Sequence, residues 1–372
     1  MISLFKPQVG EEELQAIKEV FESGWLGLGP KTAEFEKKFA KYIGVDYAVG
    51  VNSATSALDL SLKLLNINHG DEVIVPTVTF VSTAHVVAYN LATPIFVDVD
   101  KNLSIDLEDV SRKITSRTKA IIPVHYGGRP VDMDTLFEMA VTKEGSIPII
   151  EDAAHACGSS YKGKKCGSLA DIGCFSFHAV KNLCMGDGGA LVFNNNFMNE
   201  RAKKLRWLGI DKGTWDRTDK NKTYWWEYDV SEIGLKCHMN DIMAAIGIVQ
   251  LEKLDRMNER RRQIAEMYTE GLKGIVKTPL MDSDEKKSSW HIYCIKCDGR
   301  NELSEYLKSK EIITGVHYTP IHLYKCYGNI PKLPRAEKLF KRILSLPMHP
   351  NLTNEEVYKV IYEIVRFYKK VV

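Results

Sequence analysis

One lysine, one acid and one run of small hydroxyl residues stand where apolar runs give out, and together they suggest a chemistry. The lysine is Lys181, in Gly173-Cys174-Phe175-Ser176-Phe177-His178-Ala179-Val180-Lys181-Asn182-Leu183-Cys184-Met185-Gly186-Asp187-Gly188-Gly189. An apolar strand there runs into a hydroxyl, a histidine and an amine, then a glycine-rich turn. An amine at the mouth of a buried strand is costly unless neutralised or paired. Desolvation lowers its pKa and makes it a nucleophile, which Schiff-base chemistry requires. The acid is Asp152, 29 residues earlier, in Ile149-Ile150-Glu151-Asp152-Ala153-Ala154-His155-Ala156. At a strand end an acid serves as a helix cap, a metal ligand or the partner of a protonated ring nitrogen. The hydroxyl run is Val51-Asn52-Ser53-Ala54-Thr55-Ser56-Ala57-Leu58, between a strand and a helix. Such residues cap helices, and the N–H groups and dipole of a helix start hold a phosphate. Phosphate cradle, ring-nitrogen acid and Schiff-base lysine are the set a pyridoxal phosphate enzyme needs, because that cofactor is an electron sink only while its pyridinium stays protonated.

The elements that must position these residues are legible as short apolar runs: Tyr47 to Val51, Glu72 to Pro76, Pro94 to Val99, Ala120 to Val124, Ile147 to Ile150, Gly173 to Phe177 and Ala190 to Phe193. Helix-length segments separate the earlier ones, with Leu14, Ile17, Val20 and Phe21, then Phe35 and Phe39, at helical spacing. That alternation predicts crossover units and a buried, largely parallel sheet, an α/β fold. Residues 212 to 230 are polar and aromatic without a period and read as a long loop, a common carrier of function. A long helix is predicted from Asn240, with Ile242, Ala245, Ile246, Val249 and Leu254 on one face and Arg260-Arg261-Arg262 on a solvated one. Beyond about residue 270 the elements shorten into an α+β pattern ending in a helix from Glu355 to Tyr368.

Composition excludes several function classes. The 372 residues carry 50 Lys+Arg against 48 Asp+Glu, a net charge of +2. So balanced a chain has no basic field for nucleic acid. No apolar run reaches the roughly 18 residues that span a membrane, and the first residues lack the pattern of a secretory signal. Cytoplasmic residence is the expectation. The eight cysteines then read as reduced thiols. Cys294 and Cys297 form a C-x2-C without a second pair, inside an apolar stretch from His291 to Cys297 that reads as a strand, so no metal is expected there.

In order and spacing, the motifs resemble the sugar aminotransferases of the DegT/DnrJ/EryC1/StrS family. The resemblance runs through Ser23-Gly24-Trp25-Leu26-Gly27-Leu28-Gly29-Pro30, Asn52 to Leu58, Gly70 to Pro76, Pro123-Val124-His125-Tyr126-Gly127-Gly128, Glu151 to Ala156, Phe175 to Gly189, and Met239-Asn240-Asp241 to Gln250-Leu251. It implies aminotransferase fold type I: a large domain with a mainly parallel seven-stranded sheet flanked by helices, and a smaller α+β C-terminal domain. The division would fall at 1–260, with an N-terminal arm over 1–11, and 261–372. Residue by residue, the resemblance makes Lys181 the Schiff-base lysine and proton shuttle. Asp152 is the acid on the pyridine nitrogen, His155 a contact of the phenolic oxygen and Phe80 the ring that stacks on the cofactor. Ala54, Thr55 and Ser176 hold the phosphate. Lys236 stands where the family commonly has an asparagine that reaches the neighbouring subunit's phosphate, and a lysine serves a phosphate as a point charge. Cys184-Met185 also departs from the usual Thr-Thr.

The implied activity converts a nucleotide-linked keto-sugar, a 4-keto-6-deoxyhexose, to an amino sugar. L-Glutamate is the amino donor and pyridoxamine 5′-phosphate the intermediate form of the cofactor. A homodimer with active sites at the interface is implied as well. Trp25 and Leu26, in a loop resembling one that covers the site, and Tyr318 and His322, in Gly315 to His322, are the substrate-binding candidates. Two rival readings are a sugar dehydratase, whose relatives carry histidine in place of the lysine, and a non-catalytic regulator. The presence of Lys181, Asp152, Thr55 and Ser176 weighs against both.

Overall fold

The computed structural model describes residues 1–143, 145–211, 227–328 and 330–370. Its body is a sheet. Tyr47–Val51, Gly189–Phe193, Ile172–Ser176 and Ile150–Asp152 lie side by side in that order, and so do Thr93–Val97, Glu72–Pro76 and Thr118–Ile121. Parallel bridges from Ile121 to Ile149 and from Val124 to Asp152 join the two groups into seven strands. Of these, Gly189–Phe193 runs antiparallel to both its neighbours, and the other pairings are parallel. Consecutive residues feed opposite faces: Cys174 and Leu191 enter the cluster around Leu58 and Leu60, whereas Phe175 and Val192 enter the one around Phe35 and Phe39. A sheet apolar on both faces must be covered by helices on both.

Two ladders are shorter than their apolar runs. The run from Ala120 stops pairing as a strand at Ile121, and the one from Ile147 starts at Ile150. Pro123 and Pro148 explain both limits, since neither has an N–H to donate. Their carbonyls still accept, from Asp152 N at 2.9 Å and Ile121 N at 3.0 Å.

The predicted long helix spans Asp241–Gly271, capped where the Asn240 side chain accepts from Met243 N at 2.9 Å. Its first residue also caps another helix. The buried Asp241 carboxylate accepts from Gly29 N, Lys31 N and Thr32 N at 2.9–3.1 Å and from the Thr32 hydroxyl at 2.7 Å, closing the start of Pro30–Ile43. Ala244, Ile248 and Leu254 pack with Phe35 and Phe39, while Ile264, Ala265 and Tyr268 pack in a C-terminal core with Tyr293, Leu344 and Leu346. The arginine run is not wholly solvated. Arg261 is buried, and desolvation pulls its pKa down to about 10.

In the C-terminal part, Tyr293–Lys296 pairs with Ile343–Leu346 beside the Arg300–Ser309 and Asn354–Lys370 helices. The apolar stretch from His291 is therefore strand only from Tyr293 onward. The extended N-terminal residues dock there too, through a bridge from Ile2 to Ile312 and a bond from Met348 N to Leu4 O at 2.9 Å. Cys294 and Cys297 are free and buried. Of the aromatic loop, 212–226 lie outside the described residues, and its end is tied back by an Ile210–Val230 bridge. Among the described residues no helix is long and apolar enough to cross a membrane.

Candidate active site

The strand alternation that builds the sheet also sets the site. Glu151 and Asp152 are consecutive, so their side chains leave opposite faces. Asp152 is buried, and among the described residues its carboxylate accepts two hydrogen bonds, from Thr83 Oγ1 at 2.9 Å and Ala154 N at 3.1 Å. Thr79 Oγ1 lies 3.0 Å from Thr83 Oγ1 and helps hold it. A carboxylate has about four lone-pair sites, so part of Asp152's capacity is unspent. Burial raises its pKa, against those two bonds and the nearby Lys181 charge.

Lys181 sits on a loop closed by Ala179 N to Gly186 O and Phe177 N to Gly188 O, both 2.9 Å. Gly188 turns that loop at φ +146°, where an added Cβ would be strained and would meet Met185 Sδ at 3.2 Å. The residue keeps partial exposure, but its amine lies inside, with Nζ 3.5 Å from His291 Nε2. Desolvation lowers its pKa to about 8, against the attraction of Asp152.

His155 lies beside them, its ring centroid 4.5 Å from that of His291. Gly127 N donates to His155 Nδ1 at 3.3 Å, which leaves the neutral ring's Nε2–H for Tyr318 Oη at 3.0 Å. Burial drives the His155 pKa well below 6.5, with the Lys181 charge adding repulsion. Tyr318 in turn meets the ring of Phe80, 6.1 Å between centroids and tilted 60°. Phe80 is 57% exposed, at the open side of this cluster.

The hydroxyl run begins the Ala54–Leu64 helix. Ser53 Oγ caps it by accepting from Ser56 N at 3.1 Å, and the other first-turn donors have no partner within the helix. A bridge from Ser53 to Gly188 brings this turn beside the lysine loop, and buried Ser176 ends the neighbouring strand.

Other candidates are placed differently. Lys236 is exposed, and its ammonium lies over the Trp207 ring, 3.5 Å from the centroid. Cys237 O accepts from Asn52 N at 2.8 Å, so the backbone at Lys236 runs beside the hydroxyl turn. Trp25 Nε1 donates to Leu28 O at 3.0 Å within its loop, and Leu26 is exposed. His322 is not brought to the cluster. It is buried, with Nδ1 2.7 Å from Thr77 Oγ1 and Nε2 3.4 Å from Glu337 Oε1, so both ring nitrogens are occupied by packing partners.

Residues 7–365 match the DegT/DnrJ/EryC1/StrS aminotransferase family. The chain belongs to that family. It is 40% identical to the spore coat polysaccharide biosynthesis protein SpsC of Bacillus subtilis, over 97% of this chain and 95% of SpsC. Spr1654 of Streptococcus pneumoniae is 33% identical; its PMP-form superimposes with a TM-score of 0.94 over 100% of both chains, and its PLP-form with 0.92 over 100% and 99%. PseC of Helicobacter pylori, an aminotransferase involved in the biosynthesis of pseudoaminic acid, is 30% identical with a TM-score of 0.91 over 99% of each chain. The DegT/DnrJ/EryC1/StrS chain described here is thus a pyridoxal-phosphate-dependent aminotransferase of fold type I.

The residues present fit that cofactor. A buried carboxylate short of donors, an amine with a depressed pKa and an open helix start are what a protonated ring nitrogen, an aldehyde and a phosphate need. Thr83, Asn182 and His291 belong to the cluster without having been singled out in the sequence. Asn182 directly follows the lysine, but Thr83 and His291 carry no local signal.

Proposed function

We propose that this aminotransferase moves the amino group of L-glutamate to a nucleotide-linked keto-sugar, a 4-keto-6-deoxyhexose, giving an amino sugar. The observation that carries the reading is the approach of Lys181 and Asp152 inside one buried cluster, each with a pKa shifted by burial. The family and its sugar-pathway members support the substrate class.

Asp152 would hold the cofactor's ring nitrogen, Lys181 its aldehyde carbon, and Ala54, Thr55 and Ser176 its phosphate. His155 would meet the phenolic oxygen and Phe80 the ring face. Bound there, pyridoxal phosphate supplies a sink for the electrons left when a proton leaves the amino-bearing carbon. The chain's own residues do the rest. Lys181, with a pKa near 8, takes and returns that proton close to neutral pH, where a general base works best. Asp152 keeps its proton-sharing partner charged. Tyr318, pinned by His155, borders the open side with Phe80. Trp25 and Leu26 are the other substrate candidates. A homodimer completing the site through Lys236, the division into 1–260 and 261–372, and cytoplasmic residence belong to the same reading.

The test is a half-reaction titration. Glutamate added to protein loaded with pyridoxal phosphate should remove the yellow absorbance, and one member of a panel of nucleotide-linked keto-sugars should restore it. A yellow protein that no amino donor bleaches would overturn the proposal.

A further inference from the structure

The loop that carries Lys181 also carries Asn182, and the two side chains meet again at His291, 110 positions away in sequence. Asn182 is buried, and both its partners are fixed. Its Nδ2 donates to Ser289 O and Asn258 Oδ1, each at 2.7 Å. Asn258, on the long helix, is itself oriented by donating to Cys157 O at 2.9 Å. With its protons spent, Asn182 offers only Oδ1 to His291 Nδ1, 3.0 Å away. Nδ1 must therefore carry the imidazole proton, and the lone pair of the neutral ring falls on Nε2, the atom facing Lys181 Nζ at 3.5 Å. Ring packing locks the orientation further. Phe5 stacks on one side at 5.4 Å and 8°, and the His155 ring lies 4.5 Å away.

We propose that His291 is the positioning residue of Lys181: the Asn258–Asn182–His291 chain presents an acceptor that holds the lysine amine whenever it is free. The inference rests on the reading of Lys181 as the reactive amine. An amine that alternates between attachment and release needs a fixed place to wait, because an unrestrained four-carbon stem would lose the geometry required for proton transfer. Asp152 attracts Lys181 by charge, while no direct bond joins them among the described residues. His291 supplies that direct contact. Burial keeps its pKa well below 6.5, with the Lys181 and Arg261 cations nearby opposing a second charge, so the acceptor stays available. The charged and titratable groups facing this pair are Asp152 from the sheet, His155 from the following turn, His317 and Tyr318 from the segment at 317–318, and Arg261 from the long helix.

The first readout uses the cofactor-free protein and the second the loaded one. Competitive acetylation with acetic anhydride across pH, read at the Lys181 peptide by mass spectrometry, gives the amine's titration without any turnover. Wild type should titrate near 8. In His291→Gln the amide oxygen reaches the position of Nε2, and the titration should stay. In His291→Asn the amide ends near Nδ1 and keeps Asn182 but not Lys181. There the titration should fall by about one pH unit, the size of one charge-assisted hydrogen bond. Release of bound cofactor's colour by glutamate should slow by about tenfold in the Asn variant and much less in the Gln variant. Equal titration of the two variants, or an unchanged or raised value in His291→Asn, would overturn the role. Should His291→Asn fail to fold, Asn182→Ala frees the ring from its anchor and must show the same downward shift. A wild-type Lys181 that titrates near 10.5 and is not fixed to the cofactor by borohydride would remove the underlying reading, and this inference with it.

Discussion

Glu151 and Asp152 are neighbours on one strand, both buried, and their surroundings are opposites. Glu151 takes hydrogen bonds from Gly167 N, Leu169 N, Ala170 N and His125 Nε2, all between 2.7 and 2.9 Å. The other nitrogen of His125 accepts from Val131 N at 3.1 Å, so the ring has no lone pair to spare. Cys166 completes a trio with metal-ligand chemistry, but the histidine and the carboxylate are consumed by bonds that hold the sheet to its loops. Asp152 takes two bonds and looks into the lysine cluster. The fold saturates the carboxylate it uses as structure and leaves short the one proposed above to hold a cofactor. A buried acid is thus read by counting its donors rather than by its burial alone.

Substitutions on the two sides should separate cleanly. Removing the amine has the largest effect: Lys181→Ala should lose amino transfer beyond about 10⁴-fold while still binding cofactor, checked by single-turnover absorbance and by failure of borohydride fixation. Asp152→Asn comes next. Its amide cannot stabilise a protonated ring nitrogen, and the glutamate half-reaction should slow by about 10²–10⁴-fold with the thermal midpoint little changed. On the other side, Glu151→Ala should leave three N–H donors and His125 unpaired, costing about 3 kcal/mol or more in denaturant unfolding. The comparison breaks if Glu151→Ala spares stability but abolishes the spectrum of bound cofactor. Thr83→Val is gentler: one hydrogen bond to Asp152 is lost, and cofactor affinity should weaken by about tenfold in equilibrium dialysis.

The smallest effect is a pH trend. His155 and His291 are held below 6.5 and His317 at about 4 in the folded chain, so below pH 6.5 the unfolded state binds more protons. Stability should rise with pH between about 4 and 6.5, and the thermal midpoint should fall on acidification through that window. His291→Gln, which cannot titrate, should shallow the slope.

Asp152 and Lys181 were legible because each stands in a continuous stretch where an apolar strand ends in a charge, and that contradiction is visible without a fold. The sheet was legible for the same reason. His291 was not. Its chemistry depends on Asn182 and Asn258, and nothing near Trp290-His291 hints at either. His322 is the opposite case. It has the right chemistry for a substrate, but its partner Thr77 lies 245 positions away and silences it. The proline-limited strands and buried Arg261 were obscured likewise, one by backbone donors, the other by packing that periodicity does not encode.

Asp241 gives the long helix a mechanical meaning. Thirty-one residues make a rod about 46 Å long at 1.5 Å per residue. One end is seated in the C-terminal core at Tyr268, and the other grips the backbone of Gly29, Lys31 and Thr32, immediately after the loop of Trp25 and Leu26. Its first half is packed on Phe35 and Phe39 and its second half in the C-terminal core, so one continuous element spans two cores and fastens the backbone that follows Trp25 and Leu26.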